Sequence, residues 1–288
     1  MTEFLHQLVA GIATGGIYAS LALALVMIYQ TTHHVNFAQG EMATASTFGA
    51  WYLLSTGLPY WVVFAMVLVA SFIVGALVER VVMKRVSGRS DFAFVAVSVG
   101  LLIVFNSASS WIGGTEIRQF PSPFPSFLGG RLVSAHEVGS FLVTLIVLCA
   151  LLGFLRFTPF GLAMRAAAQN PLSSRFVGIR VDWMLTIGWG LAAAIGAVAG
   201  MMIAPVVFLE PNMMGGVLLY AFAGALLGGI DNPWGAVVGG FVVGMFENII
   251  GVYIAGPELK LTVALALIVA VVMVRPAGLF GRALTARV

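Results

Sequence analysis

The sequence is poor in charged residues. Only 9% of its 288 residues are Asp, Glu, Lys or Arg, and 60% are hydrophobic, whereas a soluble domain carries about 25% charge. With a mean hydropathy of +1.05, a chain of this length cannot bury its apolar surface inside a globule. The composition therefore excludes a soluble protein and predicts an integral membrane protein.

Cysteine and lysine are nearly absent. The single cysteine, Cys149, rules out an internal disulfide, and we expect it to pack in the core of an apolar segment. The only lysines, Lys84 and Lys260, follow Met83 and Leu259. A phosphate-binding loop needs the pattern G-x-x-x-x-G-K-[ST], so the chain cannot bind ATP in that way.

Other patterns of chemical function are missing as well. The adjacent pair His33-His34 faces two directions on a helix, so it predicts no metal site. No Gly-x-Ser-x-Gly elbow is present, and the basic residues are scattered over loops without interleaved aromatic platforms. We therefore expect neither an enzyme nor a nucleic-acid-binding protein, and no cofactor or metal in this chain.

Long apolar segments dominate what is present. Runs such as 261–274 are apolar on all sides, which favours helices over the alternating strands of a barrel. The first run lacks the positive charge of a signal peptide, and we expect it to be the first helix. The predicted spans, nine in number, are about 4–29, 35–55, 60–83, 92–113, 137–157, 184–209, 217–230, 235–254 and 259–275.

Two of these spans are unusual. Span 35–55 contains Asn36, Gln39 and Glu41, and span 217–230 is short, so either could be a broken or re-entrant element that leaves eight full crossings. The prediction is an all-α polytopic membrane protein of about eight or nine transmembrane helices. We expect one transmembrane domain over residues 1–288.

Basic residues predict the orientation. They form three clusters: Lys84, Arg85 and Arg89; the segment from Arg156 to Arg180; and Arg275, Arg282 and Arg287. Short loops rich in Lys and Arg stay cytoplasmic, and even numbers of predicted spans separate the clusters. All three are therefore predicted to be cytoplasmic, including the tail 275–288, and the loop 114–136 is predicted to lie outside.

Glycines recur four residues apart inside the apolar runs. The pairs are Gly11/Gly15, Gly196/Gly200, Gly224/Gly228, Gly235/Gly239 and Gly240/Gly244. Small residues at this spacing let helix backbones approach closely, so these pairs predict compact helix packing. They carry no information about a substrate.

Glu41 and Glu247 are carboxylates that fall within predicted spans. Placing a carboxylate at the bilayer centre costs on the order of 3 kcal/mol, so Glu41 and Glu247 are expected to face protein, a polar cavity or an interface. Each has an amide nearby in sequence, Asn36 one turn before Glu41 and Asn248 directly after Glu247. The pattern leaves open whether they line a path or form hydrogen bonds that hold helices together.

A polar segment, residues 158–182, interrupts the apolar series. Asn170-Pro171 combines an N-cap with a proline at the first helical position. The resulting short helix is predicted to run from Pro171 to Val177 and to end at Gly178, a residue suited to the left-handed conformation.

This short helix has an apolar face. Leu172 and Phe176 lie four residues apart, and Arg175 is displaced from them. Such a helix can dock in a socket on a partner protein or lie on lipid headgroups. Its shape alone leaves both interpretations open.

The segment also resembles a known family. The run TPFGLAMRAAAQNP from Thr158, continuing to Val177-Gly178-Ile179, is similar to the cytoplasmic coupling loop of ABC-importer permeases for branched-chain amino acids. Other blocks agree, in the family order: Gly16 to Ala19, Val35 to Glu41, Leu227 to Ile230, Gly235 to Gly240 with Glu247, and Arg275 to Gly281. The blocks cover nearly the whole chain and resemble the LivH type, the shorter of two paired permeases. Gln39 departs from the family, which often has histidine there.

The resemblance implies a type II ABC-importer-like permease bundle in a bacterial inner membrane. Its implied partners are a second, LivM-like permease, two ATPase subunits that bind ATP and Mg²⁺, and an external or periplasmic substrate-binding protein. ATP-driven closure would push on the coupling helix. Candidates for this coupling are Arg165, Asn170, Pro171, Leu172, Arg175, Phe176 and Gly178.

The cargo is implied to be a branched-chain amino acid, for which the candidate path residues are Asn36, Glu41, Glu247 and Asn248. Related permeases carry urea, other amides or pentoses, so these solutes are alternatives. A different class also stays open, a proton-coupled secondary transporter that uses Glu41 or Glu247 as the proton carrier.

Overall fold

The computed structural model describes residues 2–86, 88, 90–125, 130, 133–254, 256, 259–275 and 277–281. These residues are mainly helical, and an isolated antiparallel bridge joins Arg118 to Leu209. The prediction of an all-α polytopic protein is confirmed. Arg89 and most of the predicted cytoplasmic tail, with Arg282 and Arg287, lie outside the described residues.

The helices follow one another along the chain with short connections. They are α1 (Thr2–Thr32), α2 (Gln39–Ser55), α3 (Tyr60–Leu77) with a π-helical continuation (Val78–Met83), α4 (Lys84–Val86), α5 (Asp91–Gly113), α6 (Ala135–Phe157), α7 (Pro159–Gln169), α8 (Pro171–Phe176), α9 (Val181–Val207), α10 (Met214–Gly228), α11 (Pro233–Tyr253) and α12 (Lys260–Val274).

A helix stands at each predicted span. Among the described residues, six are long and apolar enough to cross a membrane: His6–Thr32, Tyr60–Val86, Asp91–Gly113, Ala135–Phe157, Val181–Val207 and Pro233–Tyr253. Span 217–230, which was predicted to be short, corresponds to α10 with 15 residues, and span 35–55 contains α2 with 17. Residues 35–38 at the start of span 35–55 are not helical, because the chain turns at residues 33–38 before α2 begins at Gln39.

The chain divides into two compact units. The first comprises Met1–Val26, Phe124–Leu145 and Gly216–Val288, and the second comprises Met27–Pro123 and Ile146–Gly215.

In the second unit, α9 packs against α2 and α3, and α2 also packs against α5. Small residues make these approaches possible. A methyl group on Gly75 of α3 would lie 2.6 Å from the carbonyl oxygen of Trp189, and one on Gly200 of α9 would lie 2.9 Å from that of Ala43. The predicted role of the Gly196/Gly200 pair as a helix contact is therefore confirmed.

In the first unit, α1 and α11 approach through glycines on both helices. A methyl group on Gly244 would lie 2.4 Å from the Cα of Gly15, and one on Gly240 would lie 2.4 Å from the Cα of Ala19. The ring of Tyr18 also stacks on that of Tyr220 of α10, with centroids 5.1 Å apart. The glycine spacing therefore correctly predicted that α1 and α11 are in contact.

One local prediction is wrong. Cys149 does not pack in a core, because it is exposed on α6. The residue lies in an apolar helix whose outer face meets the surroundings of the protein. In a membrane protein, an apolar sequence context does not distinguish the core from the lipid-facing surface.

Candidate functional site

The short helix α8 is closed at both ends by local hydrogen bonds. At its start, Asn170 Oδ1 accepts from the Ser173 N–H at 2.9 Å, and Pro171 occupies the first helical position. At its end, the Ile179 N–H donates to the Ser174 carbonyl at 3.0 Å, and the Gly178 N–H donates to the Arg175 carbonyl at 3.1 Å. Gly178 has φ +86°. This pair of bonds with a left-handed glycine is the Schellman motif.

The predicted boundaries of α8 are nearly right. The helix begins at Pro171 as expected and ends at Phe176, one residue before the predicted end, with Val177 as its C-cap. Both caps are built from residues of the segment itself. The formation of this six-residue helix therefore does not depend on intrinsic helix propensity alone.

The apolar side chains of α8 point away from the protein. Leu172 is 65% exposed, Phe176 is 83% exposed and Val177 is 77% exposed, whereas Ser174 is buried. We call Leu172, Phe176 and Val177 the α8 apolar face. A contiguous exposed apolar patch of this kind marks a surface that meets a protein or a membrane.

A set of charges connects α8 to its neighbours. Asp182, in the first turn of α9, accepts from Lys84 Nζ at 2.7 Å and from Arg175 Nη2 at 3.4 Å. Half of the Asp182 side chain is exposed, so each pair is worth at most about 1 kcal/mol of stability. The two ion pairs therefore add little stability, but they hold α8, α9 and α4 in position relative to one another.

The helix α7 presents Arg165 to solvent while its other side is buried. Gly161, Met164 and Ala167 are buried, at the three-residue spacing of one helix face. Thr158 caps this helix by accepting from the Gly161 N–H at 3.0 Å. The exposed Arg165 lies 3.5 Å from the Arg156 carbonyl, a long contact.

A buried carboxylate that the sequence reasoning missed lies beside the charge set. Glu79, in the π-helical turn after α3, accepts from the Thr186 hydroxyl at 2.5 Å and is only 4% exposed. The next residue, Arg80, places its guanidinium 4.7 Å from the centre of the Trp183 ring. An acidic residue inside a long apolar run was the available signal, and π-helical turns are frequent at functional positions.

Glu41 occupies the first turn of α2 in the second unit. It is 7% exposed, and its Oε2 accepts from Asn106 Nδ2 at 3.2 Å. The N-terminal end of a helix favours a negative charge, which helps to accommodate this carboxylate. Among the ion pairs of the described residues, none involves Glu41.

Asn36 has a local role just before α2. It is fully buried, and its Oδ1 accepts from the Ala38 N–H at 3.0 Å. Its amide group lies 3.5 Å from Gln39 Oε1, and Gln39 in turn donates to the Ala192 carbonyl at 2.9 Å. The amide that meets Glu41 is therefore that of Asn106, and Asn36 instead orders the turn that leads into α2.

Glu247 and Asn248 lie on α11 in the first unit. Glu247 accepts from the Tyr18 hydroxyl at 2.8 Å and pairs with Lys260 Nζ at 3.2 Å. Asn248 donates to the Thr14 hydroxyl at 3.2 Å. Both residues thus tie α11 to α1, and Glu247 also ties it to α12.

Asn106 was not among the predicted residues. It lies on α5, and its amide nitrogen has three acceptors: Glu41 Oε2 at 3.2 Å, the Pro211 carbonyl at 3.1 Å and Asn212 Oδ1 at 2.9 Å. An amide inside an apolar span was the signal in the sequence, since buried polar groups need partners. The partners themselves come from distant segments.

Comparison with known proteins identifies the family to which the chain is similar. The profile of the family described as "Branched-chain amino acid transport system / permease component" matches residues 7–272. The LivH permease protein of a high-affinity branched-chain amino acid transport system in Escherichia coli strain K12 is 28% identical over 302 residues, which cover 97% of this chain and 96% of LivH. The BraD permease protein of such a system in Pseudomonas aeruginosa is 26% identical over 97% of this chain and 96% of BraD.

A solved structure shares the fold. One chain of the structure titled "PsaBC from Streptococcus pneumoniae in complex with Fab" is similar with a TM-score of 0.52 and 13% identity, over 95% of this chain and 92% of that chain. Because the family profile spans most of the sequence, the resemblance of its motifs is confirmed. The chain belongs to the family of permease components of branched-chain amino acid transport systems.

Proposed function

We propose that this chain is a membrane-spanning subunit of an ATP-binding-cassette importer that moves branched-chain amino acids into the cytoplasm. Family membership and the names of two relatives that align over nearly their whole length support this cargo. The sequence has no phosphate-binding loop for ATP, so a separate ATPase subunit supplies the energy.

The exposed α8 apolar face is the feature that supports a role in coupling to an ATPase. A six-residue helix capped at both ends exposes Leu172 and Phe176. The ion pairs of Asp182 then link this helix to α9 and α4. An ATPase that binds the α8 apolar face would therefore move the start of α9 and, through α4, the end of the helical run Tyr60–Val86.

The distribution of basic residues and the family of the chain extend the proposal to topology and partners. The segment 158–182 and the tail 275–288 lie in the cytoplasm, and the loop 114–136 faces outside, in a single transmembrane domain. The assembly consists of this chain, a LivM-like permease, two ATPase subunits with ATP and Mg²⁺, and an external substrate-binding protein. Its place is the bacterial inner membrane.

Reconstitution tests this proposal. This chain is purified together with the proposed second permease, ATPases and binding protein and placed in proteoliposomes, and uptake of radiolabelled leucine is followed with and without ATP. We expect uptake to need ATP and the ATPase subunits. Uptake driven by a proton gradient without the ATPase would instead establish the secondary-transporter alternative.

The coupling helix is tested by Phe176→Ala with Phe92→Ala as its matched control. The two phenylalanines are 83% and 81% exposed, but Phe92 lies at the start of α5. We expect Phe176→Ala to reduce the amount of ATPase that co-purifies, or to leave ATP hydrolysis without uptake, while Phe92→Ala behaves as wild type. Normal uptake by Phe176→Ala would show that α8 only lies on lipid headgroups.

A further inference from the structure

Glu41 and Glu247, the two carboxylates named as path candidates, have different surroundings. Glu247 is paired with Lys260 at 3.2 Å and also accepts from Tyr18, so its charge is balanced by a cation of the chain. Glu41 accepts from a neutral amide, that of Asn106, and takes part in none of the ion pairs among the described residues. A carboxylate away from water is stabilised strongly by a cation, so Glu41 is the better place for a positively charged ligand group.

The neighbours of Glu41 suit one kind of cation. Around the position of Asn106 Nδ2 lie three oxygen acceptors: Glu41 Oε2 at 3.2 Å, the Pro211 carbonyl at 3.1 Å and Asn212 Oδ1 at 2.9 Å. The amide of Asn106 has only two hydrogens for these three oxygens. A primary ammonium group has three hydrogens and a positive charge, and it would satisfy all three acceptors together.

We propose that the Glu41, Pro211 and Asn212 oxygens form a subsite for the primary ammonium group of the transported solute, and that the Asn106 amide fills this subsite when no solute is bound. Glu41 supplies the charge, and the two neutral oxygens fix the direction of the ammonium group. Rotation of the Asn106 side chain would free the subsite. This inference rests on the proposed function, because it concerns how the importer selects amino acids from solutes that lack an ammonium group.

The subsite is open on one side. Asn212 is exposed, whereas Glu41 and Pro211 are buried, so the opening lies on the side of Asn212. Asn106 stands seven residues before Gly113, the last residue of α5, which is about 10 Å along the helix. That end of α5 adjoins the loop 114–136, the predicted external side, from which a binding protein would deliver solute.

A reporter cysteine can be placed beside the subsite without disturbing it. Gly215 is exposed, its N–H donates to the Asn212 carbonyl at 3.0 Å, and a side chain added there would meet nothing within 4 Å. The only native cysteine is Cys149. The variant with Cys149→Ala and Gly215→Cys therefore carries one thiol, and its rate of reaction with a neutral maleimide reports what occupies the neighbouring subsite.

The test measures this rate in the complete importer with three probes titrated into the millimolar range. They are leucine, 3-methylbutylamine, which lacks the carboxylate, and 4-methylpentanoate, which lacks the ammonium group. We expect leucine and 3-methylbutylamine to slow labelling by at least about threefold. This is the slowing expected when the free probe concentration is twice its Kd and the occupied subsite blocks the thiol. 4-Methylpentanoate should have no effect, and Glu41→Gln should remove the protection.

Leucine uptake provides the second measurement. Glu41→Gln should lower the maximal uptake rate by about tenfold or more, the effect of losing a charged hydrogen bond. The matched control is Glu79→Gln, which removes the charge of another buried carboxylate of the same unit but can still accept from Thr186. It should retain leucine protection of the reporter thiol.

The outcomes separate this inference from the proposed function. Protection by 4-methylpentanoate equal to that by 3-methylbutylamine would overturn the subsite, as would normal uptake by Glu41→Gln. Leucine uptake by the reporter variant without any protection would also overturn it and leave the proposed function intact. Protection by the amine in an importer that takes up no branched-chain amino acid would support the subsite and overturn the proposed cargo.

Discussion

Lys84 and Asp182 form an ion pair of 2.7 Å that joins the short helix after the π-helical turn to the first turn of α9, across 98 positions of sequence. Arg175 of α8 shares the same carboxylate at 3.4 Å. The side chain of Asp182 thus links the proposed coupling helix to α9 and to the C-terminal end of the helical run Tyr60–Val86. The ion pairs of Asp182 matter because they position these helices, since half-exposed pairs add little stability.

Removing this link should uncouple the importer without unfolding it. We expect Asp182→Asn to change the unfolding free energy by less than about 1 kcal/mol. It should lower the ratio of leucine transported to ATP hydrolysed by about fivefold, the lower end of measured coupling between sites. The ratio is measured in proteoliposomes.

A double-mutant cycle identifies the partner. If Asp182 acts through Lys84, the double variant Lys84→Met/Asp182→Asn should be no worse than the poorer single variant. Losses that multiply would show that the two residues act independently.

The contact between α1 and α11 gives a prediction about stability. Gly244→Ala would bring a methyl group to 2.4 Å from the Cα of Gly15, a backbone atom that cannot move aside cheaply. We expect a loss of about 1–3 kcal/mol, as for other overpacked interiors. The measurement is the thermal midpoint of the purified protein in detergent.

The control for this contact is Gly153→Ala on α6, where an added methyl group meets nothing within 4 Å. Replacing a helical glycine by alanine there should be neutral or stabilise by up to about 1 kcal/mol. Equal midpoints for the two variants would contradict the close approach of α1 and α11.

Sequence reasoning succeeded where the chemistry is local. Asn170-Pro171 and Gly178 placed α8 to within one residue, because a cap and a left-handed glycine act on their own neighbours. The glycine pairs likewise marked helix contacts, since a missing side chain permits close approach from any partner. The nine predicted spans each contain a helix for a similar reason, because apolar runs of this length have few alternatives in a membrane.

It failed where the partner is distant. Asn106 and Glu41 are 65 positions apart, and the pairing depends on how α2 packs against α5. The pairing of Glu79 with Thr186 was out of reach for the same reason, since the two residues are 107 positions apart. Cys149 was misplaced because an apolar context does not tell a core position from an outer one. These relationships belong to tertiary packing, which a hydropathy pattern does not encode.

The N-cap of α8 can be tested separately from its apolar face. Asn170→Ala removes the acceptor for the Ser173 N–H and should cost the helix about 1 kcal/mol. Hydrogen exchange of the amides of residues 173–178 should then be about fivefold faster, because that free energy controls local opening. Attachment of the ATPase should weaken as well.

The matched control is Asn170→Asp, which keeps an oxygen acceptor at the same place and should exchange as slowly as wild type. Unchanged exchange in Asn170→Ala would show that the Schellman bonds at the other end hold α8 without help from the cap.

The last prediction concerns Glu247 and Lys260, whose side chains are 10% and 25% exposed and whose charged atoms lie 3.2 Å apart. Removing one partner of a buried pair leaves the other charge uncompensated, at a cost of about 3–5 kcal/mol, whereas removing both is often nearly neutral. Lys260→Met should therefore lower the thermal midpoint more than the double variant Glu247→Gln/Lys260→Met does. The double variant should also keep ATP-dependent leucine uptake, because in this pair the carboxylate holds α11 to α1 and α12. If the double variant is folded but does not transport, Glu247 lines the path or carries protons, and its role as a helix contact is not the whole of its function.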